Sequence, residues 1–208
     1  GLVTMEASWN VLSKLAESES AQQVLWYDIS TECVTQADGK SDAAYWRTPG
    51  GTPAAPENVT FTVTPVFHPD LGPDEKDSFF RSFNFKSEGD WLKVVSGDRY
   101  IRGDMGMTVT CQYDGKKLAE PGAYSARVIA SLDGGDLGGL AGREFYLWNT
   151  VVIGDPVGPE SGYRKVYDGK GLVQSSVHRY YVNVPAGATA MRVRLEVSKD
   201  TGSSRGAR

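Results

Sequence analysis

The chain has 208 residues, 40% of them hydrophobic and 23% charged, ordinary proportions for one large globular domain or two small ones. Its formal net charge of −4 gives no basic footprint for nucleic acid, and no apolar run approaches the ~18–20 residues of a membrane-spanning helix. Two cysteines, Cys33 and Cys111, make no disulfide framework and leave the compartment open, cytoplasmic or secreted.

Gly1-Leu2-Val3 lacks an initiating Met and the basic and apolar regions of a secretory signal. A chain that opens there and closes on Gly206-Ala207-Arg208 reads as a piece of something longer. Met5, Trp9, Leu12 and Leu15 or Ala16 recur at helical spacing. They predict an amphipathic helix from Thr4 to about Glu17, with Thr4 as its N-cap and Glu6 in the first turn. Ser18 to Gln23 suits a second short helix or a turn. Val24–Ile29 and Ala43–Arg47 predict short strands around the turn Ala37-Asp38-Gly39-Lys40. Three prolines and two glycines between Thr48 and Pro56 mark a linker.

Beyond the linker the pattern is that of a β-sandwich. Val59, Phe61, Val63 and Phe67 alternate with polar residues, and Phe79, Phe83 and Phe85 lie on a second predicted strand. Between them His68 to Asp77 reads as a loop rich in Pro and Asp. Trp91–Val95 and Arg99–Ile101 are short predicted strands around Ser96-Gly97-Asp98. Met107, Val109, Cys111 and Tyr113 alternate, and Tyr124, Ala126 and Val128 repeat the pattern after Pro121-Gly122. This predicts two antiparallel strands joined by a connection of moderate length, with Tyr124 buried and its hydroxyl on a backbone carbonyl. Phe145–Ile153 completes the set after the glycine-rich stretch Asp133 to Gly142. About seven strands over roughly 95 residues match an immunoglobulin-like or fibronectin-III-like sandwich.

Gly154-Asp155-Pro156-Val157-Gly158-Pro159 reads as a second linker. Gln174–Val184 and Ala190–Val197 predict a hairpin around Pro185-Ala186-Gly187. A lone hairpin is marginally stable in water, so it is expected to begin a further β-rich, jelly-roll-like domain that is truncated here.

Gly1-Leu2-Val3 followed by Ala7-Ser8-Trp9 and Leu12 resembles the end of a catalytic domain in the subtilisin-like serine peptidase family. Asp38-Gly39-Lys40 leading to Tyr45-Trp46-Arg47, then Val59 to Phe67, Trp91-Leu92, Pro121 to Tyr124 and Arg179 to Thr189, follow in an order similar to its tripeptidyl-peptidase II branch. The resemblance implies three parts: residues 1–56 as the tail of the catalytic domain plus linker, 57–153 as the fibronectin-III-like sandwich, and 154–208 as the next domain. It implies a mainly β, non-catalytic region that supports the catalytic domain, substrate access or assembly. The implied partner is its own upstream catalytic domain, with a homo-oligomer compatible; neither nucleic acid nor membrane is implied. Trp9, on a helix that packs against the catalytic core in such enzymes, is expected to be exposed in this chain.

No catalytic, cofactor-binding or metal-binding residue is assigned, and no cofactor. The family's Asp, His and Ser motifs and its Gly-Thr-Ser turn are absent, and a triad must hold a histidine between nucleophile and carboxylate. His68 and His178 have no neighbouring motif that makes either a base. Arg102-Gly103-Asp104 is a tripeptide that adhesion receptors read, yet its Gly-Asp suits a turn. Asn58-Val59-Thr60 is a glycosylation sequon, relevant only in a secretory pathway. Asp133-Gly134-Gly135-Asp136-Leu137-Gly138-Gly139 lacks the spacing of a calcium or phosphate loop, and Cys33 and Cys111 read as buried thiols. Trp91, Tyr124 and Trp148 are core aromatics or, on the rival reading, a carbohydrate platform. That rival is a stand-alone β-sandwich module binding protein or carbohydrate, with no peptidase parent.

Overall fold

A computed structural model describes residues 5, 9, 13, 23–32, 41–47, 57–95, 99–132, 143–169 and 177–196. The protein is mainly β. Met5, Trp9 and Ser13 are helical, within the helix that the apolar spacing predicts, and Trp9 is 70% exposed. The rest of that predicted helix, Cys33 and the 133–142 loop lie outside the described residues.

Two sheets carry the fold. The first has the order β1-β3-β7-β5, all antiparallel: β1 (Val24–Thr31), β3 (Asn58–Phe67), β7 (Met107–Tyr113) and β5 (Leu92–Val94). The second has the order β2-β9-β8-β4-β6: β2 (Ala44–Arg47), β9 (Arg143–Ile153), β8 (Gly122–Leu132), β4 (Phe80–Ser87) and β6 (Tyr100–Arg102). Here β2 runs parallel to β9 and the other pairs are antiparallel. Thus β1 and β2, encoded before the proline-rich stretch, are hydrogen-bonded edge strands of the same two sheets as the strands after it.

Period-two burial explains why these segments are strands. On β7, Met107, Val109, Cys111 and Tyr113 are buried and Thr108 is exposed; on β3, Val59, Phe61 and Val63 alternate with exposed Thr60 and Thr62. Outside, Thr60 and Thr110 hydroxyls meet at 3.1 Å. The sides facing inward share one core: Phe61, Val63 and Val109 from the first sheet meet Phe83, Val128, Leu147 and Val151 from the second. Tyr27 of β1 packs edge-on to Phe83 and at 5.0 Å from Phe145, both on the opposite sheet. Burying each such side chain contributes roughly 1.5–3 kcal/mol.

The structure corrects four expectations. First, β7 and β8 do not pair with each other. The connection Asp114–Pro121 crosses from one sheet to the other, with Leu118 buried in its middle as an anchor. Second, Pro73–Ser78 within the His68–Asp77 loop is a short helix, α1. Pro73 opens it, Asp74 and Glu75 face its positive end, and the Glu75 carboxylate accepts from the Gly72 N–H at 2.8 Å. Third, the predicted second linker contains β10 (Asp155–Pro156), which pairs in parallel with β11 (Val182–Asn183). Fourth, the C-terminal hairpin does not form: only Val182–Asn183 is strand in its first arm among the described residues, and Ala190–Glu196 is in no ladder. Tyr124 is half-buried rather than fully buried, because it sits near the end of β8. Its hydroxyl donates to the Glu120 carbonyl at 2.8 Å, as expected of a tyrosine packed against a core.

One polar pair interrupts the shared core. Asn149 on β9 is fully buried, its Oδ1 accepts from the Tyr113 hydroxyl at 2.8 Å, and its Nδ2 donates to the Leu147 carbonyl at 3.0 Å. Tyr113→Phe strips that amide oxygen of its donor in a site where water cannot replace it. A buried group left unsatisfied costs about 1–3 kcal/mol, so the denaturant midpoint should fall clearly. Thr60→Val, on the solvent side of the same sheet, should shift it little. Equal midpoints for the two variants would contradict the assigned role of Asn149.

Candidate functional site

Each residue singled out in the sequence has a defined place, and they do not converge. His68 lies just past β3, with Nδ1 3.4 Å from Asp70 Oδ2, but the Asp70 side chain is 91% exposed. A triad carboxylate works because it is held against the imidazole; one in open solvent does not orient the ring. His178 is exposed and lies in no strand, against the sequence expectation. Gly103 has φ +62°, a backbone region that disfavours a Cβ, and its N–H donates to the Phe79 carbonyl at 2.8 Å. That turn, closed by the bridge between Arg102 and Met105, accounts for the glycine without a receptor.

Asn58 is exposed at the start of β3, paired with Gln112. Cys111 is buried, and burial pushes its thiol up to about 12, which leaves it protonated and unreactive. Trp91 is buried, with Tyr124 edge-on at 6.4 Å, whereas Trp148 points out of the other face of its sheet. The three aromatics therefore form no common platform. Among the described residues, no group of three or more His, Cys, Asp or Glu side chains is placed to hold a metal ion.

The arrangement with the most organised polar chemistry lies where β9 ends and the C-terminal segment returns. Asp155 is buried. Its Oδ1 meets Lys165 Nζ at 2.6 Å, its Oδ2 accepts from the Tyr167 hydroxyl at 2.6 Å, and its N–H donates to the Tyr181 carbonyl at 2.7 Å. Tyr167 stacks against Tyr180 with centroids 4.2 Å apart. One step earlier, Gly154 is where the returning chain touches closest. A Cβ there would lie 2.5 Å from Asn183 Oδ1, and the Asn183 amide donates to the Gly154 carbonyl at 3.2 Å. A single residue, through its carboxylate and its backbone N–H, thus joins the end of β9 to two later stretches of chain. The sequence reading missed it. Its only signal was Asp155 inside a Gly/Pro stretch, with lysine and tyrosine ten and twelve residues on.

Burial alone would push the Asp155 carboxyl up, but the hydrogen bonds and charge supplied by Lys165 and Tyr167 outweigh it and hold the group below its ordinary 3.8. Burial and the adjacent carboxylate both push Tyr167 up, so its phenol stays a donor. A depressed folded pKa contributes stability that is complete above the unfolded value and is lost as pH falls through the folded one. The junction should therefore hold at neutral pH and loosen below about pH 4, read as a falling protection factor against hydrogen exchange at the Asp155 amide. Asp155→Asn should cost about 1.5–3 kcal/mol, in the range of hydrogen bonds to a charged group, and remove the acid step. An unchanged acid profile in that variant would contradict the latch.

The chain matches no protein-family model, and no curated protein matches it. Among solved structures it is similar to the crystal structure of tripeptidyl peptidase 2 (TPP II), with a TM-score of 0.54 and 18% identity. The likeness covers 74% of this chain and 12% of that one, so the chain spans a small part of the length of the protein it resembles. At that identity the similarity is one of fold alone.

Proposed function

We propose that this chain is a non-catalytic, β-rich region of a subtilisin-like serine peptidase of the tripeptidyl-peptidase II kind, supporting the catalytic domain, substrate access or assembly. The observation that carries it is the fold likeness to tripeptidyl peptidase 2 over 74% of the chain. The order of motifs from Gly1-Leu2-Val3 to the Pro121-Gly122-Ala123-Tyr124 strand agrees with it independently. In this reading the two sheets are a fibronectin-III-like sandwich whose edges are completed by β1 and β2. The helical residues Met5, Trp9 and Ser13 belong to the tail of the catalytic domain.

The segment Ala190–Glu196 is then a strand awaiting its sheet. Arg194 Nε and Glu196 Oε1 meet at 2.8 Å, a contact between residues two apart that only an extended chain makes. Met191, Val193 and Leu195 are all exposed. The latch at Asp155 sets the direction in which that further domain begins. The adhesion reading has less behind it, because Gly103 is buried and tied to Phe79 rather than carried on a free loop tip.

The isolated chain should hydrolyse neither tripeptidyl nor endopeptidase substrates. An antibody against it, used on its native source, should precipitate a polypeptide that contains this sequence and is covalently labelled by a fluorophosphonate, a reagent for activated serines. Precipitation of the chain with no labelled polypeptide would overturn the proposal.

A further inference from the structure

The outward face of the second sheet carries a cluster that the fold does not use. Arg127 on β8 bonds Glu88 through two of its three guanidinium nitrogens, Nε to Oε2 at 2.6 Å and Nη2 to Oε1 at 3.1 Å. Its guanidinium lies 4.7 Å above the Tyr146 ring and 5.4 Å from the Trp148 ring, both on β9. Lys86 pairs with Ile129 across the β4–β8 ladder, and Arg143 pairs with Ser131 two residues further along β8. Three cations therefore lie on these neighbouring strands, on a chain whose net charge is −4. Among the described residues the buried Arg143 Nε has no hydrogen-bond partner. Trp148 is 46% exposed beside this cluster, and Ile129, paired with Tyr146 on the same face, is buried outside the main core.

We propose that this face is a docking site for a protein segment that combines carboxylates with an apolar side chain. The surplus cations Lys86 and Arg143 fit carboxylates, which a guanidinium recognises through paired hydrogen bonds. The Trp148 and Tyr146 rings supply the desolvated aromatic anchor that protein interfaces favour. The aromatic anchor separates such a segment from a phosphate or sulfate polymer, which offers no apolar side chain to the Trp148 and Tyr146 rings. The site stands on this geometry and does not depend on the peptidase reading.

The test is calorimetric titration of the whole chain with a capped hexapeptide, Glu-Glu-Leu-Phe-Glu-Glu, its all-lysine counterpart, a heparin oligosaccharide and oligodeoxythymidylate. The acidic peptide should bind and the lysine peptide should not. Lys86→Gln combined with Arg143→Gln should weaken binding about tenfold or more, equivalent to ~1.4 kcal/mol. Trp148→Ser should do likewise. Phe80→Ser, on the same face but about 20 Å along β4 from Lys86, should leave binding unchanged. Lys86→Gln alone, at an exposed position, serves as the variant whose fold is secure, and denaturant midpoints check the rest. No binding of the acidic peptide, tighter binding of heparin or oligonucleotide, or acidic-peptide binding indifferent to Lys86→Gln and Trp148→Ser would overturn the proposal.

Discussion

Two tyrosine hydroxyls tie the sheets to each other, and the rest of the architecture is arranged around what they bridge. Tyr113 on β7 reaches Asn149 on β9, and Tyr27 on β1 reaches Glu144 on the same strand at 3.1 Å. Apolar packing between two sheet faces is non-directional and tolerates sliding. A hydrogen bond across it does not. With donor and acceptor held at both places, the two faces have one relative register, and Phe61, Val109, Leu147 and Val151 meet only in that arrangement. The buried Asn149 amide is thus a source of specificity more than of net stability.

This register explains the positions of the edges. β1 contributes Tyr27 to both the aromatic cluster and the bridge to Glu144, so the N-terminal strand belongs to the core despite the proline-rich stretch that separates it from β3. β2 adds to β9 in parallel and brings Ala44 into the core. At the far end of β9 the chain leaves through Gly154 and Asp155, where close backbone approach and one carboxylate control its exit.

The sequence showed the strands well and their partners poorly. Alternation in Val59–Phe67, Met107–Tyr113 and Tyr124–Val128 follows from one buried face, which is local information. Pairing is not local. Nothing near Tyr113 or Pro121 shows that their strands belong to different sheets, or that Ala44–Arg47 runs parallel to β9. Helix α1 was hidden because it buries no residue and so has no apolar stripe to read. Ala190–Glu196 has the alternation of a strand and, among the described residues, no neighbour to pair with, which is why period alone overstates it. Asn149 escaped notice because an asparagine in the run Phe145–Ile153 looks like the polar half of an alternation. The Asp155 latch depends on contacts to Lys165, Tyr167 and Tyr181 brought back by chain reversal, and the outward cluster at Arg127 depends on three strands lying side by side.

The central structural claim is that strands from both sides of the proline-rich stretch open as one unit. Native-state hydrogen exchange at increasing denaturant measures this directly, since amides that open together share one free energy. The ladder amides between β1 and β3 and between β2 and β9 should merge with those of β7, β8 and β9 into a single opening step. If the β1 and β2 amides instead exchange through a separate, lower-energy opening while the later strands stay protected, the N-terminal strands are an appendage, and the shared core is not what holds them.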